Sequence, residues 1–415
     1  MTSIAAQSDV FTGPFTGMKV VDADTHITEW HDLWTSRVPP SMRTKVPHVV
    51  KDSEGVQAWV FNDDDVLHRP AGASAVIRRD GSKQKYWESQ AWDIQSGLTF
   101  DEVAVGAYDV HARLETMDQM GIWAQIAYPN LAGFGANRFA KIADKKLSIE
   151  IVKIYNDAVA EFQRESGDRI FPMMLVPYWD IEAAVKEIDR CGRELGLRGI
   201  TMCSEPQAGG LPDLPSEHWN PIWEACTDLQ LPINFHVGAS DFGMDAFFNG
   251  AWPSNSAYRR YVVGCALLEL HNARVLSNLL ISDLLDRYPA LKWVLVESGI
   301  GWVPYVLERL EYQLLDSSPE DPSMGMPSSP TDRLRAHVYN CFWFEELGPS
   351  TALDRIGFDN VLFETDYPHP TCLYPSGRPD TSAVEHGMKV LSSWGPEVTR
   401  KVMSENAMSL YRLPG

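Results

Sequence analysis

The chain has 415 residues, of which 44% are hydrophobic, 11% aromatic and 22% charged, the balance of a protein that buries a large core rather than of a disordered one. Its 56 acidic against 36 basic residues leave a formal net charge of −20, which repels phosphate backbones and anionic membrane surfaces and so excludes nucleic acid and membrane as expected partners. Cys191, Cys203, Cys226, Cys265, Cys341 and Cys372 contain no C-x-x-C pair and read as reduced, mostly buried thiols. With no leader-like start and no run of about 18 uncharged apolar residues, the expectation is a soluble cytoplasmic protein.

Short apolar runs alternate with longer helical patterns, the mark of β/α units around a parallel sheet. The first strand is expected at 19–23, and alternation along it lines up Asp22, Asp24 and His26 on one face. The segment from about 39 to 109, punctuated by Pro, Gly and Asp and carrying Trp59, Tyr86, Trp87 and Trp92, reads as a lid-like insertion. Further strands are expected at 123–128, 170–176, 198–202, 232–236, 292–297, 338–344 and 360–364. Apolar residues recurring every three or four positions predict helices at 111–120, 181–195, 221–229 and 258–288. A surface loop is expected at 317–330, rich in Ser, Pro, Met and Asp, and a closing helical stretch at 383–411. Eight strands with intervening helices predict one α/β domain over 1–415, a (β/α)8 TIM barrel with the lid-like insertion after its first strand.

Active sites of such barrels lie at the carboxyl ends of the strands. His236 ends Leu-Pro-Ile-Asn-Phe-His, Glu297 ends Trp-Val-Leu-Val-Glu, and Asp366 follows Leu-Phe-Glu-Thr. With Asp24 and His26 they converge on one spot. Asp22 and Glu364 lie deeper on their strands, where an unpaired carboxylate is costly, and read as partners of the outer groups. Glu205 reads as a loop carboxylate. His369, in the loop after the eighth strand, is a candidate proton carrier or substrate contact. His271 interrupts an apolar stretch and is a further catalytic candidate, beside its plainer reading as a core histidine. Trp30, Trp34, Trp252, Trp302 and the Phe247-Phe248 pair fall at the mouth and suggest an apolar substrate pocket.

Three segments, Val21-Asp22-Ala23-Asp24-Thr25-His26, Phe235-His236-Val237-Gly238 and Phe363-Glu364-Thr365-Asp366-Tyr367-Pro368-His369, resemble the amidohydrolase-related family that includes aminocarboxymuconate-semialdehyde decarboxylase. Weaker similarities at 113–121, 287–292 and 301–309 occur in the matching order. The resemblance implies that Asp24, His26, His236 and Asp366 bind a divalent metal. The chain departs from the family at the sixth strand, where the decarboxylases carry a His before two glycines and this chain has Glu297-Ser298-Gly299-Ile300-Gly301. A carboxylate beside a divalent ion is ionised and ligates or bridges, so Glu297 joins the set. Two histidines and three carboxylates suit one or two ions of zinc, manganese or iron.

The leading expectation is therefore hydrolysis, and after it decarboxylation, of a small, partly apolar substrate bearing a carbonyl or carboxylate, with Asp366 or His369 handling the proton. One alternative is a dinuclear non-haem iron monooxygenase, since the resemblance extends to an oxygenase branch acting on terpenoid-like natural-product intermediates. Another is a non-catalytic ligand-binding barrel. The resemblance also implies a homodimer.

Overall fold

The computed structural model describes residues 11–51, 53, 57–63, 65–68, 76–82, 98–317, 325–373 and 382–414. The expected insertion aromatics Tyr86, Trp87 and Trp92, and half of the expected 317–330 loop, lie outside them. Twelve strands occur among the described residues. In chain order they are β1 (Val21–Ile27), β2 (His48–Lys51), β3 (Gln57–Phe61), β4 (Asp65–His68), β5 (Ala124–Pro129), β6 (Ile170–Pro172), β7 (Met174–Leu175), β8 (Ile200–Thr201), β9 (Ile233–His236), β10 (Trp293–Val296), β11 (Val338–Phe342) and β12 (Val361–Phe363).

All eight strands expected for the ring are present, and they pair in parallel. β1 pairs with β5 and β5 with β6. β6 runs through Met173 into β7, and β7 to β12 follow one another in spatial order. Beyond β12 the chain returns to β1: the Asp366 N–H donates to the Asp24 carbonyl at 3.0 Å and the His26 N–H to the Tyr367 carbonyl at 2.7 Å. A mixed α/β architecture results, with the strands' carboxyl ends gathered on one side.

Two apolar layers hold it. Val21, Ala23, Ile126, Tyr128, Phe171, Val294, Cys341 and Leu362 pack on one another inside the strands, joined by Ala407, Leu410, Tyr411 and Leu413 from the end of the chain. A larger layer between strands and helices includes Trp34, Met117, Ile151, Trp219, Trp223, Leu280, Trp293 and Leu307. The helices begin where side chains satisfy their first amides. Asp109 accepts from Ala112 at the start of Val110–Met120, Asp144 from Lys146 and Leu147 before Lys145–Glu165, and Ser256 from Arg259 before Ala257–Ile281. The helix expected at 258–288 breaks at Ser282 and resumes as Leu284–Arg287. The closing stretch is likewise divided, into Ala383–Leu391, Gly395–Arg400 and Asn406–Leu410. Among the described residues no helix is long and apolar enough to cross a membrane.

The segment after the first strand holds more order than its punctuation suggested. β2, β3 and β4 form an antiparallel sheet, turned between β3 and β4 by Asn62 and Asp63 at φ 47° and 76°, residues that tolerate the left-handed region. Trp59 of β3 is buried edge-on against Trp34 and Phe100, which ties the sheet to the main body.

β1 carries one more correction. Its register on β5 advances three residues, from Asp22 to Thr25, while β5 advances two, from Gln125 to Ala127. This bulge inverts the alternation. Val21 and Ala23 face the interior before it, Asp24 and His26 face it afterwards, and Asp22 points the other way.

Candidate metal centre

Each of the five expected ligands is brought to the carboxyl ends of the strands by a definite backbone device. The β1 bulge turns Asp24 and His26 inward. His236 ends β9 in phase with Asn234, whose side chain accepts from Tyr128 and Tyr411 in the interior. Glu297 follows Val294 and Val296, both interior, so simple alternation would aim it outward. Its φ of 53° re-aims the carboxylate to 3.3 Å from His236 Nε2. Asp366 sits at φ 60°, anchored through its own N–H to β1.

The two histidines meet with their Nε2 atoms 3.1 Å apart. His236 Nδ1 lies 2.7 Å from the Val237 carbonyl and His26 Nδ1 3.3 Å from the Pro129 carbonyl. A proton on each Nδ1 satisfies those carbonyls and leaves two lone pairs facing each other across the centre, the tautomer of metal-binding imidazoles. Burial, and then the adjacent His369, hold the His26 pKa well below its ordinary value, so the ring is neutral.

The acids surround these lone pairs. Asp24 Oδ1 is 3.6 Å from His26 Nε2 and 3.5 Å from His236 Nε2, and Asp366 Oδ1 is 3.5 Å from His26 Nε2. Asp24, His26, His236 and Glu297 offer ligand atoms within 4.8 Å of one another, as do His26, Glu297, Asp366 and His369. Both oxygens of Asp24 and Oε1 of Glu364 are buried without a hydrogen-bond donor. Burial, followed by mutual repulsion, pushes the Glu297 and Glu364 carboxyls well above the usual range, and burial pushes Asp24 up as well. Carboxylate oxygens without donors, converging on two imidazole lone pairs, are a donor set that a divalent cation satisfies. The residues present thus fit a divalent metal ion.

Supporting groups fix this shell from behind. Asp22 accepts from the Thr365 N–H at 2.8 Å, from the Thr365 hydroxyl at 2.6 Å and from Gln125 Nε2 at 3.0 Å. It thereby pins the residue before Asp366, the supporting role expected for it, though from the opposite face. Arg113 donates to Gln125 at 2.7 Å and to the His26 carbonyl at 3.0 Å. Glu364 accepts the Glu297 N–H at 3.2 Å. His369 stacks on His26 with ring centroids 3.8 Å apart, places Nδ1 2.7 Å from Asp366 Oδ1 and meets Asn130 Oδ1 through Nε2 at 3.0 Å.

The other expected site residues are dispersed. His271, on the helix Ala257–Ile281, bonds to Glu205 beside Ser240 and belongs to neither ligand group. Glu205 lies in the loop after β8, as expected, and is buried there, also paired with Arg274 at 2.9 Å. Trp252 is 77% exposed, Phe247 packs on Phe248 and Tyr261, Trp30 on Phe162, and Trp302 donates to the Ser298 carbonyl. The aromatic that does face the centre is Phe134, 4.0 Å from the His236 ring and 5.0 Å from His26. It and Asn130 escaped the sequence reading. Their signals were an Asn two residues beyond the 123–128 strand and a Phe flanked by glycines.

The chain is similar to known proteins over most of its length. A family model described as amidohydrolase matches residues 109–413. Gamma-resorcylate decarboxylase of Polaromonas sp. is 25% identical over 319 residues, covering 72% of this chain and 86% of the relative. The structure of an amidohydrolase from Mycobacterium avium subsp. paratuberculosis superposes with a TM-score of 0.68 at 20% identity, over 95% of this chain and 99% of that one. A 5-carboxyvanillate decarboxylase from Novosphingobium aromaticivorans, solved with bound manganese and 3-methoxy-4-hydroxy-5-nitrobenzoic acid, superposes with a TM-score of 0.64 at 19% identity, over 98% and 100% of the two chains. The match over residues 109–413, most of the chain, makes this protein a member of the amidohydrolase family and an enzyme of its metal-dependent hydrolase and lyase class.

Proposed function

We propose that the chain decarboxylates an aromatic carboxylic acid, using one divalent ion held by Asp24, His26, His236, Glu297 and Asp366 at the mouth of a closed (β/α)8 barrel. In this reading residues 1–415 form one domain and 39–109 its lid-like insertion. The observation that carries it is the set of orphaned carboxylate oxygens around two converging imidazole lone pairs. The relatives named above support decarboxylation, which the sequence alone had ranked behind hydrolysis.

A divalent ion held by Asp24, His26, His236, Glu297 and Asp366 would supply Lewis-acid stabilisation of negative charge developing on the substrate. The chain's own residues do the rest. The stacked His26 and His369 rings and Phe134 form a wall against which a substrate ring lies and from which water is excluded. Asp366 and His369 share a proton across 2.7 Å, within reach for general acid catalysis. That proton passes to the ring carbon bearing the carboxylate, the bond to the carboxyl carbon breaks, and carbon dioxide leaves with the ring restored. Asn130, bonded to the far nitrogen of His369, fixes which face of that imidazole meets Asp366.

The test is carbon dioxide release by manganese-loaded protein from a panel of ortho-hydroxybenzoates, repeated with Asp366→Asn. Release by the wild type and its loss in the variant support the reading. A fully metallated wild type inert towards the whole panel sinks it.

A second reading, of two ions and oxygen chemistry, rests on Glu297, which belongs to both ligand groups and whose carboxylate would hold both ions. The relatives named above do not point that way. Two irons per chain together with dioxygen uptake would establish it, and a single manganese or zinc would remove it.

A further inference from the structure

Behind Glu297 lies another carboxylate that the chemistry does not use. Glu345 follows β11, and its two oxygens accept the N–H of Ile300 at 2.9 and 3.1 Å and the N–H of Gly301 at 2.8 Å. These amides belong to the short run leading from Glu297 into the helix Val303–Asp316, where backbone donors lack intrahelical partners and a negative charge is favoured. Three glycines shape the seat. A Cβ at Gly299 or Gly301 would lie 3.0 or 3.1 Å from the Glu345 carboxylate, and one at Gly348 would overlap it.

Glu297 itself occupies the left-handed region at φ 53° and Gly299 does so at φ 66°. A residue bearing a side chain holds that conformation only when its surroundings over-determine it. One restraint is the bond from the Glu297 N–H to Glu364. The other is the clamp on the residues three and four positions onward. We propose that Glu345 is a positioning residue for the metal ligand Glu297. By gripping Ile300 and Gly301 it keeps the turn that aims the Glu297 carboxylate at His236, and so it sets the affinity of the centre for a divalent cation. The inference rests on the reading of Glu297 as a ligand, and the experiment separates the two.

Full-length protein stripped with a chelator is titrated with manganese for the wild type, Glu345→Ala, Glu345→Gln, Glu297→Ala and the Glu345→Ala/Glu297→Ala double variant. Thermal melts of the metal-free proteins report folding. Glu345→Ala is expected to weaken manganese binding about 10- to 100-fold, the usual effect of losing a residue that orients a ligand. Glu345→Gln, which keeps one acceptor oxygen, is expected to fall between it and the wild type. The double variant is expected to bind no more weakly than Glu297→Ala alone, because the two residues act in series. Should Glu345→Ala not fold, the Gln variant carries the test, with wild-type affinity counting against the proposal. A purely structural role predicts wild-type affinity for every folded Glu345 variant, or a loss that adds fully to that of Glu297→Ala, and either result overturns the inference while leaving Glu297 a ligand. Wild-type manganese binding by Glu297→Ala overturns the ligand reading and the inference together.

Discussion

His369 and Asp366 divide two tasks between neighbouring side chains. Asp366 points Oδ1 at the centre, 3.5 Å from His26 Nε2, while His369 bonds to Asp366 and stacks on the His26 ring. His369→Gln is therefore expected to lower kcat about 10²- to 10⁴-fold, the range for a lost general acid, with metal content by elemental analysis unchanged. Loss of metal in that variant would move His369 into the ligand shell. Asp22 gives a different signature. Burial raises its pKa to about 7 from 3.8, so between about pH 4 and pH 7 the folded chain holds a proton that the unfolded chain has released. Each step upward across that window therefore favours unfolding. The metal-free protein should lose roughly 4 kcal/mol from this group between those limits. Denaturant melts at pH 5 and pH 8 check the direction, and equal stability at both would contradict it.

Among the elements, one tight constraint is where the loop after β5 crosses the end of β8. A Cβ on Gly135 would lie 2.5 Å from the Cys203 nitrogen and 2.6 Å from the Met202 carbonyl carbon, both backbone atoms. Gly135→Ala is expected to cost about 1–3 kcal/mol and to displace Phe134 from the two metal-facing imidazoles. A denaturation midpoint equal to that of the wild type would show that the crossing is looser than described. The strands were legible because each is a short apolar run, and the ligands because they sit at or just beyond the ends of four of those runs. The β1 bulge was not legible, since Asp22, Asp24 and His26 keep a perfect two-residue spacing and only the pairing with β5 reveals the extra residue. The inward aim of Glu297 was expected for the wrong reason, because alternation alone turns it away. The β2–β4 sheet was partly written in Trp-Val-Phe-Asn-Asp, where a turn pair follows a β-favouring run. The mouth aromatics failed as a class, because bulk and position near a strand end do not specify which way a ring points.

For the whole molecule, a cluster of buried acids at one end makes stability conditional on the cation. Adding a chelator is expected to lower Tm, and manganese to restore it, because a ligand that binds only the folded state stabilises it. Asp24→Asn should abolish that response while leaving the metal-free Tm equal to or above that of the wild type, since it removes one of the mutually repelling charges. A lower metal-free Tm for that variant would argue that Asp24 stabilises the fold by itself. Trp252, Tyr305, Leu315 and Leu347 leave more than two thirds of their surface exposed. The homodimer expected from the family resemblance is proposed to cover part of it, and light scattering giving the mass of one chain would exclude that. At the opposite end of the ring from the acids, the interior is filled by Ala407, Leu410, Tyr411 and Leu413, with the Tyr411 hydroxyl bonded to Asn234 at 2.7 Å. A ribosome that has released everything up to residue 400 has therefore made every strand and every metal ligand, yet the nascent chain still lacks the stopper that dries the inside of its sheet. The strands therefore enclose a dry interior only once residues 407–413 have joined them.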